Sequence, residues 1–586
     1  MANFCARSYI FTLLFSLFLL ILPIMSHPQK SCSVLDSGPV TSTIPLISFL
    51  EEIQETALNT FGPNNFDPKL YIDFSMKSNL SITQQAFSKL PRTTNGGVAS
   101  AAKLQKFIQD YFNGAGDDLI YEHPVDFVVE PHGFLPKVKN HEVRAWALQV
   151  HGLWKNLSRK VSPSVKEHPE LHTLLPLPES CVIPGSRFRE VYYWDSYWVI
   201  RGLLASHMHK TATAIVTNLI YFVEKYGYVL NGARAYYTNR SQPPLLSSMI
   251  HEIYQRTGDI NLIKKALPAL IKEHGFWNSG VHKVTIRDSE GCSHNLSRYY
   301  AMWNKPRPES ATMDKETASK LSDAADKQKL YREVASTAES GWDFSTRWMR
   351  NSSDLTTLTT TTILPVDLNA YILKMEFDIA YFAKIAGDNS IAAQFLEASK
   401  AREKAFNSVF WNEKMSQWLD CWITCKDDQT WEVSHQNQHL FASNFVPLWI
   451  KPFESASLAE KVMKSLANSG LVRATGIATS LTNSGQQWDF PNGWAPMQHI
   501  IIESLAKSGS KEAYLMAEDI AIRWIRTNHA SYKNTGEMHE KYDVEKCGEY
   551  GGGGEYIPQT GFGWTNGVVL ALLEEFGWPQ DRKLDC

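Results

Sequence analysis

Apolar residues return at three- and four-residue steps through most of this chain. The pattern holds over 44–59 (IPLISFLEEIQETALN), 211–226, 259–276, 367–386, 389–409 and 511–526. Each stripe predicts an amphipathic helix with one buried face. Gly227, Gly258, Gly387 and Gly470 stand where such helices would stop. Sustained two-residue alternation is scarce; 283–288 (KVTIRD) is the best candidate for a hairpin arm. No Pro/Ser/Gly stretch is long enough to split the chain, the Thr-rich run 356–362 reads as a loop, and no exact repeat occurs. A helix with one apolar stripe must bury it against another element. Many paired helices without a break therefore predict an all-α protein closed as a ring of helix hairpins, with its chemistry on the connecting loops.

Those loops are neither merely polar nor short of aromatics. Arg, carboxylate and Trp concentrate in Pro184–Tyr197 (PGSRFREVYYWDSY), Asn231 through Pro244, Arg307–Ser310, Glu339–Ser345 (ESGWDFS), Gln487–Pro496 (QWDFPNGWAP), and Glu540–Val544 running on to Gly551–Tyr556. The chain holds 18 Trp, 23 Tyr and 28 Phe, enough rings to line a ligand as well as a core. An apolar wall raises a carboxyl's pKa toward what a general acid needs near neutral pH. Sugar faces stack on aromatic rings while Arg, Asp, Glu and Asn bond the hydroxyls. A single Trp-Asp pair is more often a structural contact, but six such loops together point to glycoside hydrolysis by paired carboxylates.

Other chemistries lack their signatures. The formal charge of −3 gives no basic excess for a nucleic-acid partner. No Ser-His-Asp elbow, P-loop or HExxH occurs, and the glycine run 551–554 has no following Lys-Ser/Thr, so it reads as a turning lid beside Glu555. Cys421-x-x-x-Cys425 has no second pair at metal spacing and reads as a local disulfide or two thiols. No metal and no cofactor are expected.

Residues 9–25 (YIFTLLFSLFLLILPIM) carry no charge and follow Arg7. They read as a signal peptide, or as an uncleaved anchor giving single-pass membrane attachment; either puts residues 27–586, expected to form one catalytic domain, outside the cytosol. Five glycosylation sequons, at Asn79, Asn156, Asn239, Asn295 and Asn351, agree with that compartment.

PGSRFREVYYWDSY and QWDFPNGWAP closely resemble the two signature segments of the inverting trehalases, and ESGWDFS, RPES and EKYDV…GGGGEY match others of that family in the right order over roughly 180–570. The amino-terminal segment makes the chain most similar to a plant member. The resemblance implies an (α/α)6 toroid that splits trehalose into two glucose molecules without a metal. It implies Asp343 as general acid and Glu540 as general base, a choice that spacing alone leaves open among Asp195, Asp489 and Glu555 as well. It also implies substrate contacts from Arg187, Trp194, Asp195, Asn231, Arg240, Ser241, Gln242, Arg307, Glu309, Gly341, Trp494 and Glu555. Phe188 and Tyr192 are expected to be wall, and Trp488 and Asp489 structural. Ser186 departs from the family, which usually carries a second glycine there; little effect on the turn is expected. Asn239 lies within a substrate segment and is expected to carry no glycan.

Three rivals stand beside this reading: another toroidal glucosidase, a catalytically inactive cell-surface sugar-binding protein, and a scaffold. The presence of both candidate carboxylates argues against the second, and the six charged aromatic loops against the third.

Overall fold

The computed structural model describes residues 38–288, 290–423, 435–450 and 455–586. Among them, twelve segments alternate along the chain between two layers. Six inner segments, Asp195–Ala205, Leu246–Thr257, Val366–Ala386, Ala442–Trp449, Ala495–Lys507 and Gly563–Phe576, each pack on the next, and the sixth packs on the first. Six outer helices, His141–Gly152, His209–Tyr226, Ile260–Trp277, Asn389–Ala405, Ala456–Asn468 and Lys511–Thr535, precede them in turn or lie between them. The architecture is an (α/α)6 toroid.

Burial separates the layers. Val366–Ala386 buries 15 of its 21 residues, on every side, whereas Asn389–Ala405 buries 5 of 17 along one stripe. An inner helix has neighbours all round, and an outer one has them only beneath. Side-chain caps start several outer helices: Asp259 accepts from the Asn261 and Leu262 amides, Asp388 from Ile391 and Ser510 from Ala513. Gly227, Gly258 and Gly387 end helices in the left-handed conformation, and Gly470 lies two residues past its helix end. The periodic stretch 389–409 is α-helical only to Ala405 and continues as a π turn, Phe406–Phe410. The fourth inner segment is a 3-10 helix with Pro447 inside, since proline cannot donate to an α ladder. Lys283–Arg287 pairs antiparallel with Ser293–Ser297, the expected hairpin.

The ring is sealed where the first and sixth inner helices meet. A Cβ on Gly567 would stand 1.9 Å from the Trp198 carbonyl oxygen, and one on Gly202 would stand 2.4 Å from Gly567 Cα. Two glycines thus let two backbones touch.

Residues before the toroid form a smaller apolar cluster of their own. Helices Pro45–Phe61, Pro68–Ile72, Leu80–Ser88 and Ala101–Tyr111 bury Phe49, Leu50, Ile53 and Phe107 against Tyr192, Tyr236 and Tyr237 of the ring's loops. A disulfide joins Cys547 to Cys586, a pairing the spacing did not single out. Cys425 and the apolar segment 9–25 lie outside the described residues, and no described helix is long and apolar enough to cross a membrane. Asn79, Asn156, Asn295 and Asn351 are exposed. Asn239 is buried, its amide donating to the Tyr236 carbonyl at 3.2 Å.

Candidate active site

Five of the six inner segments receive a chain that has just crossed one end of the barrel, and those five crossings line a single cleft. Arg187, Trp194 and Asp195 come from the approach to the first inner helix, Asn231, Arg240 and Gln242 from the second, and Arg307, Glu309, Gly341 and Asp343 from the long excursion 278–365 before the third. Trp494 precedes the fifth, and Glu540 and Glu555 precede the sixth. The third and sixth positions are opposite in a six-membered ring, and both Asp343 and Glu540 line the cleft.

One expected contact residue does not face the cleft. Ser241 donates its hydroxyl to the Val229 carbonyl at 2.6 Å, and its amide to Glu339 at 2.9 Å. It braces Arg240 and Gln242, its neighbours on either side. Phe188 and Tyr192 are wall, as expected, and Asp489 is framework, accepting from Ser345, Thr346, Ser480 and Ser484. Trp488 corrects its purely structural reading: it lines the cleft while stacking on Trp494 with ring centres 4.1 Å apart and planes 1° apart. Together with Trp194 and Trp564 these indoles make an apolar floor. Gly341 is required beneath it: its φ is +73°, and a Cβ would lie 2.7 Å from the Trp194 ring. Gln487, Tyr556 and Trp564 were not selected from the sequence, although Gln487 and Tyr556 lie within the highlighted segments.

The floor governs the carboxyls. Burial pushes the Asp343 carboxyl up to about 7, with Glu555 adding to the rise and Arg307, 3.6 Å away, opposing it. Burial pushes Asp195 up to about 8, and Glu540 and Asp343 add like-charge repulsion. Asp195 opens the first inner helix, whose dipole favours a negative charge by about 0.3–2 kcal/mol. Each pKa unit is about 1.4 kcal/mol, so the dipole is too small to offset that burial. Burial also raises Glu540, against Lys541 and the Tyr556 hydroxyl, which donates to Oε1 at 2.9 Å. Glu540 Oε2 is buried with no protein partner. Lys541 donates to Gln487 at 2.8 Å, and Gln487 donates to the Asp343 carbonyl at 2.5 Å, so one side-chain chain links the two candidate catalytic segments.

Each arginine of the cleft is paired with acid, Glu309 and Glu555 within the cleft and Asp314 and Asp67 outside it. Arg240 meets Glu309 at 2.5 Å, Arg307 meets Asp314 at 2.7 Å and Glu555 at 2.8 Å, and Arg187 meets Asp67 at 2.8 Å. Ser186 holds its turn at a φ of +47°, the region that favours the missing glycine. Among the described residues, no group of three or more His, Cys, Asp or Glu is arranged to hold a metal ion.

The trehalase family profile matches residues 63–577. The chain belongs to the trehalase family. It is 59% identical over 553 residues to a probable trehalase of Oryza sativa subsp. japonica, covering 92% of this chain and 97% of that one. It is 57% identical over 557 residues to the trehalase of Arabidopsis thaliana (94% and 89% covered), and 39% identical over 515 residues to that of Homo sapiens (87% and 86%). Neutral trehalase Nth1 of Saccharomyces cerevisiae superposes with a TM-score of 0.59 at 23% identity, covering 74% of this chain and 94% of that one, which supports the toroid.

Proposed function

We propose that this trehalase-family chain hydrolyses α,α-trehalose to two glucose molecules with inversion at one anomeric carbon. One observation carries the mechanism: two carboxyls, Glu540 buried and Asp343 half-buried, line an indole-floored cleft, and burial holds Asp343 up at about 7. Asp343 donates its proton to the bridging oxygen as the glycosidic bond breaks. Glu540, ionised, takes a proton from water attacking the opposite face of the ring. Its unpartnered Oε2 is the oxygen available for that water, while Tyr556 holds Oε1. Arg187, Arg240 and Arg307 grip sugar hydroxyls. An inverting pair needs its carboxyls about 6.5–9.5 Å apart, room for one water.

Trehalose joins two α-anomeric carbons. Inversion releases the attacked glucose as β, and the other departs as α. Proton NMR within minutes of adding trehalose is expected to give equal α- and β-glucose before mutarotation. Wholly α product would exclude Glu540 as a water-activating base. Maltose and cellobiose, run in parallel, are expected to yield no glucose; turnover of either would favour another toroidal glucosidase.

We also infer that the catalytic toroid works outside the cytosol, secreted or held at the plasma membrane by residues 9–25. The Cys547–Cys586 disulfide supports an oxidising compartment, and four of the five sequons are exposed while the one among the substrate segments is buried. Glycosidase treatment of the native protein is expected to lower its apparent mass; an unchanged mass and complete protection of the toroid from protease in intact cells would refute it.

A further inference from the structure

Arg187 presents an edge to the cleft, but what holds it comes from outside the toroid. Its Nε donates to Asp67 Oδ2 at 2.9 Å and its Nη2 to Asp67 Oδ1 at 2.8 Å, a two-point clamp. Asp67 lines a second cavity, which shares Arg187, Ser310, Glu555 and Tyr556 with the cleft, and does not line the cleft itself. The clamp engages Nε and Nη2 and leaves Nη1 for a ligand. The guanidinium also lies 4.9 Å from the centre of the Tyr556 ring, whose hydroxyl bonds Glu540. Planar, two-point pairing fixes orientation as well as position.

Asp67 is held in turn. Its Oδ1 also accepts from the Lys69 amide, capping Pro68–Ile72. That short helix is locked by Lys69, buried between Asp73 at 2.9 Å and Glu190 at 2.7 Å. Gln54 adds a second tie, donating to the Pro68 carbonyl at 2.8 Å and to the Pro308 carbonyl, beside Arg307, at 2.9 Å. A buried lysine with two carboxylates is costly to separate, so the helix keeps one seat.

We infer that Asp67 is a positioning residue for the hydrolytic site, acting through Arg187, and that the segment before the toroid therefore sets substrate affinity. This rests on the trehalose-hydrolase reading above. Two variants keep the helix cap and lose the clamp: Asp67→Ser, a good capping residue, and Asp67→Asn, whose amide nitrogen would oppose an arginine donor.

The test measures kcat and KM for trehalose in the full-length protein. Either variant is expected to raise KM about ten-fold or more, the scale of one charge-assisted contact, at an unchanged melting temperature. In an Arg187→Lys background, which already lacks the two-point geometry, Asp67→Asn is expected to add less than two-fold. A lower kcat at unchanged KM, a loss that tracks a falling melting temperature, or full additivity with Arg187→Lys would each overturn the proposal in favour of a structural role. Kinetics equal to the parent would overturn it as well. Absence of turnover in the parent would instead sink the hydrolase reading, so the two failures are distinguishable.

Discussion

At the scale of single residues, the site is a competition between burial and charge. As the proposed acid, Asp343 needs its proton, and burial outweighs Arg307, bringing its pKa to about 7. Above that pH the acid is lost and the rate should fall. As the proposed base, Glu540 must be ionised, and burial raises it above an ordinary glutamate, so the rate should also fall at low pH. The expected kcat/KM profile is a bell whose alkaline limb, set by Asp343, lies near 7. Asp343→Asn should remove the alkaline limb together with most of the rate. General acid or base assistance contributes about 10²–10⁴-fold, so Asp343→Asn and Glu540→Gln are each expected to lose at least that much glucose release. Both substitutions keep side-chain volume, so melting temperature should barely move. A variant of either residue retaining most of its activity would break the assignment.

At the scale of elements, legibility followed the periodicity. The stripes 211–226, 259–276 and 367–386 were readable because a long helix repeats its buried face several times, and all three are helices of the barrel. Ala442–Trp449 occupies an inner position yet was not readable: eight residues with Pro447 among them hold too few turns to show a period. The cleft's residues were visible because charged aromatic loops are unusual, although Ser241 faces inward to its own backbone, which no sequence pattern reveals. Asp67 was invisible for a different reason: its partner is 120 residues away and nothing local marks it. The glycines at the ring seam are similar. Gly567 lies within a helix, where glycine is unfavourable, and only the contact with Trp198 explains it. Gly567→Ala should therefore destabilise by about 3 kcal/mol despite alanine's better helix propensity, because backbone and not a pliable side chain stands in the way. Denaturant unfolding would measure it; a stabilised variant would mean the seam is looser than described.

At the scale of the molecule, the segment that carries Glu540 is fastened to Cys586. Cys547 lies between Lys541–Asp543 and the glycine run, and its bond to Cys586 closes a loop of sequence separation 39. A loop of that size contributes about 3–4 kcal/mol on a chain-entropy view. Cys586→Ser, or reduction of the native protein, is expected to lower stability by that order and to lower kcat/KM through the Glu540 segment. Asp343, on the opposite side, should keep its pH limb. An unchanged melting temperature on reduction would show the bond to be dispensable.

The closing pair of helices has a consequence for how the chain comes to exist. Asp195–Ala205 leaves the ribosome more than three hundred and fifty residues before its seam partner Gly563–Phe576 is made. Until then its glycine-bearing face has no lid, and the nascent barrel is an open arc with an apolar edge. Such an intermediate has high contact order and exposed surface, the combination that slows folding and invites aggregation. Asp343, the proposed acid, leaves the ribosome well before Glu540, the proposed base, and the last inner helix both closes the core and seats Glu540, whose backbone carbonyl accepts from Trp564 at 3.0 Å. Catalytic competence and completion of the fold are thus reached in a single late event, so an incompletely synthesised chain has no working half.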